Sequence, residues 1–206
     1  LGDEYVGAGE VICCSQFGVP QLRKRLVAIY TRDPAGIDYF NRNGGSFFSA
    51  SDRKPTKTLR EAIGHLPALD ARKGLESASD YHSFHKVPVM AKEKYWWVSN
   101  TAEGDTAYNN QCCNKKCNSK DNLLHTDVFV DGRWQSSKAT PVYCVECRQL
   151  LPRPSMIDKA TGERRLIKGF HSAYRRMIWD QPSRALTQNY IYEASDNKVH
   201  PSQNRV

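Results

Sequence analysis

The sequence lacks any apolar run that approaches the ~20 residues needed for a membrane-spanning helix. Its first residues, Leu-Gly-Asp-Glu, contain neither the basic region nor the apolar core of a secretion signal. Internal repeats and low-complexity tracts are also missing. We therefore expect a cytoplasmic protein that has no membrane partner.

The sequence also lacks features that mark natural chain ends. It does not begin with methionine, and it stops at Asn204-Arg205-Val206 without a helix-ending signal. We expect the chain to be a piece of a longer protein, or one subunit of a split one. Its 206 residues suffice for one large or two small domains.

Acidic residues are scarce relative to basic ones. The chain has 30 Lys and Arg against 22 Asp and Glu, which gives a net charge of +8. The excess is concentrated between Arg148 and Arg184, a stretch that contains nine basic and three acidic residues. A basic surface that is simply exposed to solvent would explain this excess. The functional interpretation is a surface that contacts nucleic-acid phosphates.

Two strands are predicted near the start of the chain. Val6 to Cys14 is apolar and β-branched, and Leu26 to Tyr30 is typical of a buried strand. Gln21, Arg23 and Arg25 precede the second strand at alternate positions, so they would share one side of it. On this spacing alone, solvent-facing residues of an edge strand are the better explanation of the pattern.

Regular structure becomes sparser further along the chain. Residues 33–57 are rich in Asp, Gly, Asn, Ser and Lys, which predicts a loop or linker. Thr58-Leu-Arg-Glu61 fits a capping box and predicts a helix from Leu59 to Leu66. Asp131-Gly132 between Val128–Val130 and Arg133–Trp134 predicts a hairpin in an irregular second half.

Seven cysteines in a chain without a secretion signal indicate a reducing compartment, where clustered cysteines favour metal binding. Cys113 and Cys117 form one pair, and Cys144 and Cys147 form another. Short-spaced pairs supply the four thiolates of a structural zinc site. The spacing leaves open whether Cys112 replaces Cys113, or whether the four are unrelated thiols.

Several other candidates are interpreted more simply. Three histidines are alternative zinc ligands but are more typical of ordinary polar positions: His82, His85 and His125. Two cysteines and three tryptophans are predicted to be core residues: Cys13, Cys14, Trp96, Trp97 and Trp179.

Five segments, in order along the chain, give a resemblance to one family. "FGVPQLRKR" resembles the Gly-Val-Pro-Gln-x-Arg-x-Arg motif of DNA (cytosine-5) methyltransferases, and "TLREAIGHLP" is similar to the helix that follows it. "SNTAEGD" and "SAYRRMIWDQPSRALTQN" resemble the family's Thr-Pro-Glu-Gly-Gly segment and its Tyr-Gly-Arg-Met-x-Trp-Asp-x-Pro-x-x-Thr-Ile-Thr stretch. "HPSQNRV" resembles the lead-in to the family's Arg-x-Leu-Thr-x-Arg-Glu motif. The departures are Asp105 and Arg175, which stand where relatives often have glycine.

The resemblance implies an activity that this sequence does not contain in full. The family transfers a methyl group from S-adenosylmethionine to a flipped-out cytosine in duplex DNA. Its glycine-rich cofactor loop, Pro-Cys nucleophile and Glu-Asn-Val motif would precede residue 1. We expect the chain alone to be inactive, and to belong to a bacterial or phage restriction–modification enzyme.

The resemblance also implies roles for particular residues. Arg25 would point toward the cytosine O2, and Arg23 and Gln21 would support the pocket wall or contact the DNA backbone. Seven further residues are predicted to contact double-stranded DNA, the last three at phosphates: Arg184, Thr187, Gln188, Asn189, Lys168, Arg175 and Arg176. A helix cap or turn explains Thr187 and Asn189 about as well.

The predicted fold is α+β. Residues 1–32 would supply the C-terminal hairpin of a Rossmann-like methyltransferase sheet, and 33–69 a linker with a short helix. Residues 70–206 would form an irregular, β-rich, zinc-stapled target-recognition domain. The alternatives are a non-catalytic zinc-stapled module that binds nucleic acid, and a tRNA cytosine-5 methyltransferase.

Overall fold

A computed structural model describes residues 4–72, 78–186 and 197–206, which divide into two compact units. Unit 1 comprises Leu1–His65 with Trp179–Ala185, and unit 2 comprises Leu66–Ile178 with Leu186–Val206. Within the described residues, every helix is too short or too polar to cross a membrane.

Unit 1 is built on a β-hairpin. Strand β1 (Val6–Cys13) pairs antiparallel with β3 (Lys24–Thr31), from Val6 opposite Thr31 to Cys13 opposite Lys24. A single 3-10 turn follows β1 and ends at Gly18, whose φ of 83° suits glycine. Both predicted strands are confirmed, although β3 begins two residues before Leu26.

The predicted burial of the second strand is wrong for the described residues. Leu26 is 70% exposed and Tyr30 is 46% exposed, and Val11 opposite Leu26 is 69% exposed. The strand belongs to a two-stranded sheet. Two strands cannot bury both of their faces without further layers.

Unit 1 also contains two α-helices. Helix α1 (Pro34–Arg42) lies in the stretch predicted to be a loop, and that prediction is wrong. The Asp33 carboxylate accepts a hydrogen bond from the Gly36 amide at 2.9 Å, and proline occupies the first turn, so the start is well capped. Helix α2 (Leu59–Ile63) confirms the predicted helix and its Thr58–Glu61 capping box, but ends three residues early.

A short parallel pairing returns the chain to unit 1. Strand β2 (Gln21–Leu22) pairs with β9 (Ser183–Arg184), with Gln21 opposite Ser183. The Arg60 guanidinium donates to the Asp180 carboxylate at 2.7 Å, which ties α2 to the same returning segment.

Unit 2 has little regular structure. Its described residues include one α-helix, two antiparallel hairpins and one parallel pair: α3 (Lys92–Ser99), β4 (Asp127–Val130) with β5 (Arg133–Ser136), β6 (Ser155–Ile157) with β7 (Arg164–Leu166), and β8 (Arg175–Arg176) with β10 (Lys198–Val199). The first hairpin turns at Asp131 and Gly132, both with positive φ, as its sequence predicts.

A small aromatic cluster forms the core of unit 2. Trp97 on α3 packs with Tyr108, Ala173 and Tyr174, all at most 4% exposed. The Tyr108 hydroxyl donates to the Ile167 carbonyl at 3.1 Å, so the buried phenol is satisfied. The prediction that Trp97 is a core residue is confirmed, and Trp96 packs half-buried against the same cluster.

Candidate functional site

Four cysteines of unit 2 converge on one point: Cys112, Cys117, Cys144 and Cys147. Their sulfurs all lie within 4.8 Å of one another. The Cys112 and Cys147 sulfurs are 3.6 Å apart, and those of Cys117 and Cys144 are 3.9 Å apart. Zinc–sulfur bonds of about 2.3 Å place tetrahedral sulfurs about 3.8 Å apart, whereas a disulfide needs about 2 Å. The arrangement therefore fits a tetrahedral metal site.

Cys113 was the predicted ligand of the first pair, and the structure replaces it with Cys112. Cys113 is exposed, whereas Cys112 is 3% exposed and belongs to the cluster. Adjacent side chains in an extended segment point to opposite sides, so the two cannot both face the centre. The first pair thus has a four-residue gap.

Two similar turns bring the cysteine pairs together. The residue after the second cysteine of each pair has a left-handed backbone, with φ of 47° at Asn118 and 59° at Arg148. The Asn118 amide donates to the Asn114 carbonyl at 2.8 Å, and the Arg148 amide donates to the Cys144 carbonyl at 3.1 Å. Each turn reverses the chain tightly enough to aim both sulfurs inward.

The local electrostatics differ between the ligands. Hydrogen bonds from backbone amides, first that of Cys147, lower the pKa of Cys144 to about 6. Burial raises the pKa of Cys112 to about 12. Cys144 is therefore the thiolate that forms most readily, and a cation at the centre would be needed to deprotonate Cys112 at neutral pH.

Buried polar side chains surround the cysteine cluster. The Asn122 amide nitrogen lies 3.7 Å from the Cys144 sulfur, and its carbonyl oxygen accepts from the Val145 amide at 2.9 Å. The Arg153 guanidinium, which is fully buried, donates to the carbonyls of Asn110, Leu123 and Pro141 at 2.8–3.0 Å. These bonds fix the backbone on either side of the cluster and so hold the cysteines in position.

Arg176 does not face phosphates, which corrects its predicted DNA contact. It is 5% exposed and its guanidinium donates to the carbonyls of Val98, Thr101, His200 and Gln203 and to the Asn204 side chain, all at 2.7–2.9 Å. Burial lowers its pKa. The residue joins the segment after α3 to the C-terminal segment of unit 2.

The other predicted DNA contacts are distributed differently. Arg175 is half-buried and donates to the Gly104 carbonyl at 2.6 Å, so part of its guanidinium is engaged within unit 2. Lys168 in unit 2 and Arg184 on β9 are exposed, and their predicted contacts stay predictions. Thr187, Gln188 and Asn189 lie outside the described residues.

The predicted catalytic residues all lie in unit 1. Arg25 is exposed on β3, and its guanidinium donates to the Lys24 carbonyl at 2.7 Å. Arg23 and Gln21 are half-buried, and Gln21 lies on the separate short strand β2. The three residues therefore do not follow one continuous strand, and their roles stay predictions.

Sequence reasoning missed the residues that support the cysteine cluster. Arg153 lies in the basic stretch that the sequence analysis interprets as a charged surface, and Asn122 was not singled out. A signal for the cysteine assignment was present, since Cys112 gives an acceptable four-residue gap. No comparable signal marks Arg153, because its burial depends on carbonyls contributed by three distant segments.

The comparisons with known proteins give one distant similarity. The chain is 23% identical over 201 residues to the type II methyltransferase M1.HgaI of Avibacterium volantium. The matched region covers 98% of this chain and 40% of that protein. No protein-family model and no solved structure matches the chain.

Proposed function

We propose that the chain is the middle-to-late part of a DNA cytosine-5 methyltransferase of a restriction–modification system. The observation that carries this proposal is the similarity to a type II methyltransferase along 98% of the chain. The five family-like segments, which occur in the expected order, support the cytosine-5 class. The chain spans 40% of the length of that relative, so the cofactor would be bound by further segments of a longer protein.

The fold assignment belongs to the same proposal. The β1–β3 hairpin would be the last part of a larger methyltransferase sheet, whose other strands would cover its exposed apolar side chains. Unit 2 would be the target-recognition domain, stapled by zinc at Cys112, Cys117, Cys144 and Cys147. The sulfur separations and the all-thiolate ligand set favour structural zinc over a catalytic metal.

The resemblance gives Arg25 the central part in binding the target base. Its guanidinium would donate to the cytosine O2 once the base has left the duplex, and so hold the ring in place. Arg is suited to this because it stays charged and its donors are arranged rigidly. Arg25 is exposed and has no carboxylate partner among the described residues, so it is available for such a contact.

The test uses the full-length protein, duplex DNA and radiolabelled S-adenosylmethionine. We expect 5-methylcytosine as the product, identified by mass spectrometry of the digested DNA. Arg25→Ala should lower methyl transfer by about 100-fold or more, as expected when a charge-assisted contact to the reacting base is lost. Duplex affinity should change little.

Lys24→Ala is the matched control, because Lys24 is the exposed cation beside Arg25 on β3. It should retain nearly full activity. Another methylated base, methyl transfer to tRNA instead of DNA, or full activity in Arg25→Ala would each contradict part of the proposal. The first outcome removes the cytosine-5 class, the second the DNA substrate and the third the role of Arg25.

The cysteine cluster favours a second candidate, a non-catalytic zinc-stapled module that binds nucleic acid. Such a module needs only unit 2, and it gives Arg25 no role. It predicts duplex binding without methyl transfer by the full-length protein, which the same assay distinguishes.

A further inference from the structure

A cleft of about 780 Å³ lies in unit 2, beside the two antiparallel hairpins. One wall is formed by the end of β5 and by Ser137 and Lys138. The opposite wall is formed by β7 and the segment that follows it, from Arg165 to Phe170. None of these positions belongs to the five family-like segments.

The cleft is positively charged. Its lining includes Lys138, Lys168 and Arg165 and one carboxylate, Asp158. Asp158 accepts from the Arg165 guanidinium at 2.7 Å, so that pair is neutral. Lys138 and Lys168 are exposed, and neither forms an ion pair with another described residue. Two cations therefore remain available to an anionic partner.

The remainder of the cleft suits an extended polyanion better than a small anion. Both lysines are exposed rather than buried, which is poor for enclosing a single phosphate but ordinary for contacts along a phosphate backbone. The Phe170 ring, 52% exposed, adds an apolar surface against which sugars or bases can pack. Cations beside an exposed ring are the combination that nucleic-acid-binding surfaces use.

The β4–β5 hairpin projects from this cleft as an aromatic arm, defined as Asp127–Ser136. Its inner rung is anchored, since the Asp127 carboxylate pairs with His171 and the Ser136 hydroxyl lies 3.2 Å from the buried His125 ring. The next rung on the same side is Phe129 opposite Trp134, with ring centroids 5.4 Å apart.

The Phe129–Trp134 pair is unusually exposed for two aromatic residues. Phe129 is 60% and Trp134 is 63% exposed. Exposed aromatic pairs beside a cationic cleft are suited to apolar contacts in a DNA groove, where sugars and thymine methyl groups are accessible. The anchored inner rung would hold the pair at a fixed distance from the cleft.

We propose that the cleft holds one sugar-phosphate strand of duplex DNA, with Lys138 and Lys168 at phosphates, and that Phe129 and Trp134 enter the adjoining groove. This inference rests on the proposed function for its choice of DNA as the polyanion. Lys168 is already a predicted phosphate contact, whereas Lys138, Phe129 and Trp134 are new candidates, and none of the four lies in a family-like segment.

The experiment measures the affinity of the full-length protein for a fluorescein-labelled duplex by anisotropy, between about 50 and 200 mM salt. The double variant Lys138→Gln/Lys168→Gln should reduce the slope of log affinity against log salt by about 2, because each phosphate contact contributes about 1. Trp134→Ala should weaken binding roughly 5-fold or more and leave the slope unchanged.

The control is Lys116→Gln/Lys120→Gln, which removes two exposed cations of unit 2 that do not line the cleft. Its slope should stay close to that of the unaltered protein. Melting curves and zinc content should match for all variants, so that a loss of affinity is not a loss of fold. Equal slopes for both double variants would overturn the inference.

Methyl transfer measured on the same samples separates this inference from the proposed function. Active protein whose salt slope does not depend on the cleft lysines contradicts only the inference. Protein that binds duplex DNA through these lysines but methylates nothing contradicts only the proposed function. Duplex affinity that does not respond to salt contradicts the cleft assignment and leaves an acidic protein as the alternative partner.

Discussion

Unit 1 and unit 2 bury their side chains to very different extents. Among the described residues, unit 1 contributes one apolar residue to the buried set, Leu59, whereas unit 2 contributes the aromatic core and two of the four clustered cysteines. Unit 1 instead exposes Val11 and Leu26 on its hairpin. Among the described residues, unit 2 therefore has a buried core of its own, whereas the hairpin of unit 1 leaves apolar side chains exposed.

Buried side chains, more than long strands, connect the segments of unit 2. The longest strands in the described part of unit 2 have four residues, so the usual ladder of backbone hydrogen bonds is short. Arg153 and Arg176 compensate by donating to backbone carbonyls of loop segments. Such charged, buried donors are costly to desolvate but leave few carbonyls unsatisfied.

The largest expected effect tests the staple. Cys112→Ser should release zinc and unfold unit 2, because structural zinc contributes about 10 kcal/mol or more to such domains. Cys113→Ser, the adjacent and exposed control, should retain zinc and fold. Metal analysis and circular dichroism of the purified variants measure both outcomes. Zinc loss in the Cys113 variant alone would reverse the ligand assignment.

The next effect tests the buried arginine. Arg176→Ala should destabilise unit 2 by about 3–5 kcal/mol, because it leaves several buried carbonyls without donors. Arg133→Ala, at an exposed arginine of the arm, should change stability by no more than about 0.5 kcal/mol. Urea unfolding measures both. Similar values for the two variants would mean that Arg176 is not part of the core.

The smallest effect tests the exposed hairpin. In the 206-residue chain, Leu26→Ser should change the stability of the β1–β3 hairpin by no more than about 0.5 kcal/mol, because Leu26 is largely exposed. In the full-length protein, the same change should cost about 2 kcal/mol or more if neighbouring strands cover this position. Hydrogen exchange of the β3 amides measures both.

A matching small effect in the full-length protein would contradict the proposal that the hairpin completes a larger sheet. Gly9 on the partner strand β1 is unsuitable as a control, because replacing a glycine also changes the conformational freedom of the backbone. Lys24→Ser is better, since an exposed polar residue of the same strand should give a small effect in both contexts.

Local signals in the sequence predicted local structure well. The capping box at Thr58, the Asp131-Gly132 turn and the β-branched run of β1 each depend on neighbouring residues, and each is confirmed. Helix α1 was missed because polar composition was given more weight than Asp33-Pro34, which is itself a good helix start.

Longer-range features were not predictable in the same way. The composition between Arg148 and Arg184 indicates charge but not burial, and Arg153 and Arg176 are buried because distant carbonyls surround them. The four-cysteine cluster was predicted from spacing, but the choice of Cys112 over Cys113 depends on the direction of one peptide segment. The cleft joins segments about thirty residues apart in the sequence, beyond the reach of any local pattern.

The position of the aromatic arm between the two cysteine pairs has a consequence for how the sequence of such a domain can diverge in evolution. The arm lies within the chain between Cys117 and Cys144, and the Ser137 amide closes its base by donating to the Thr126 carbonyl at 3.1 Å. The two cysteine turns thus flank the hairpin on both sides in the sequence, and the hairpin is closed at its own base. A hairpin of another length could therefore replace the one between Thr126 and Ser137 while the four-cysteine cluster stays intact. The surface presented by unit 2 would change, and its core would not.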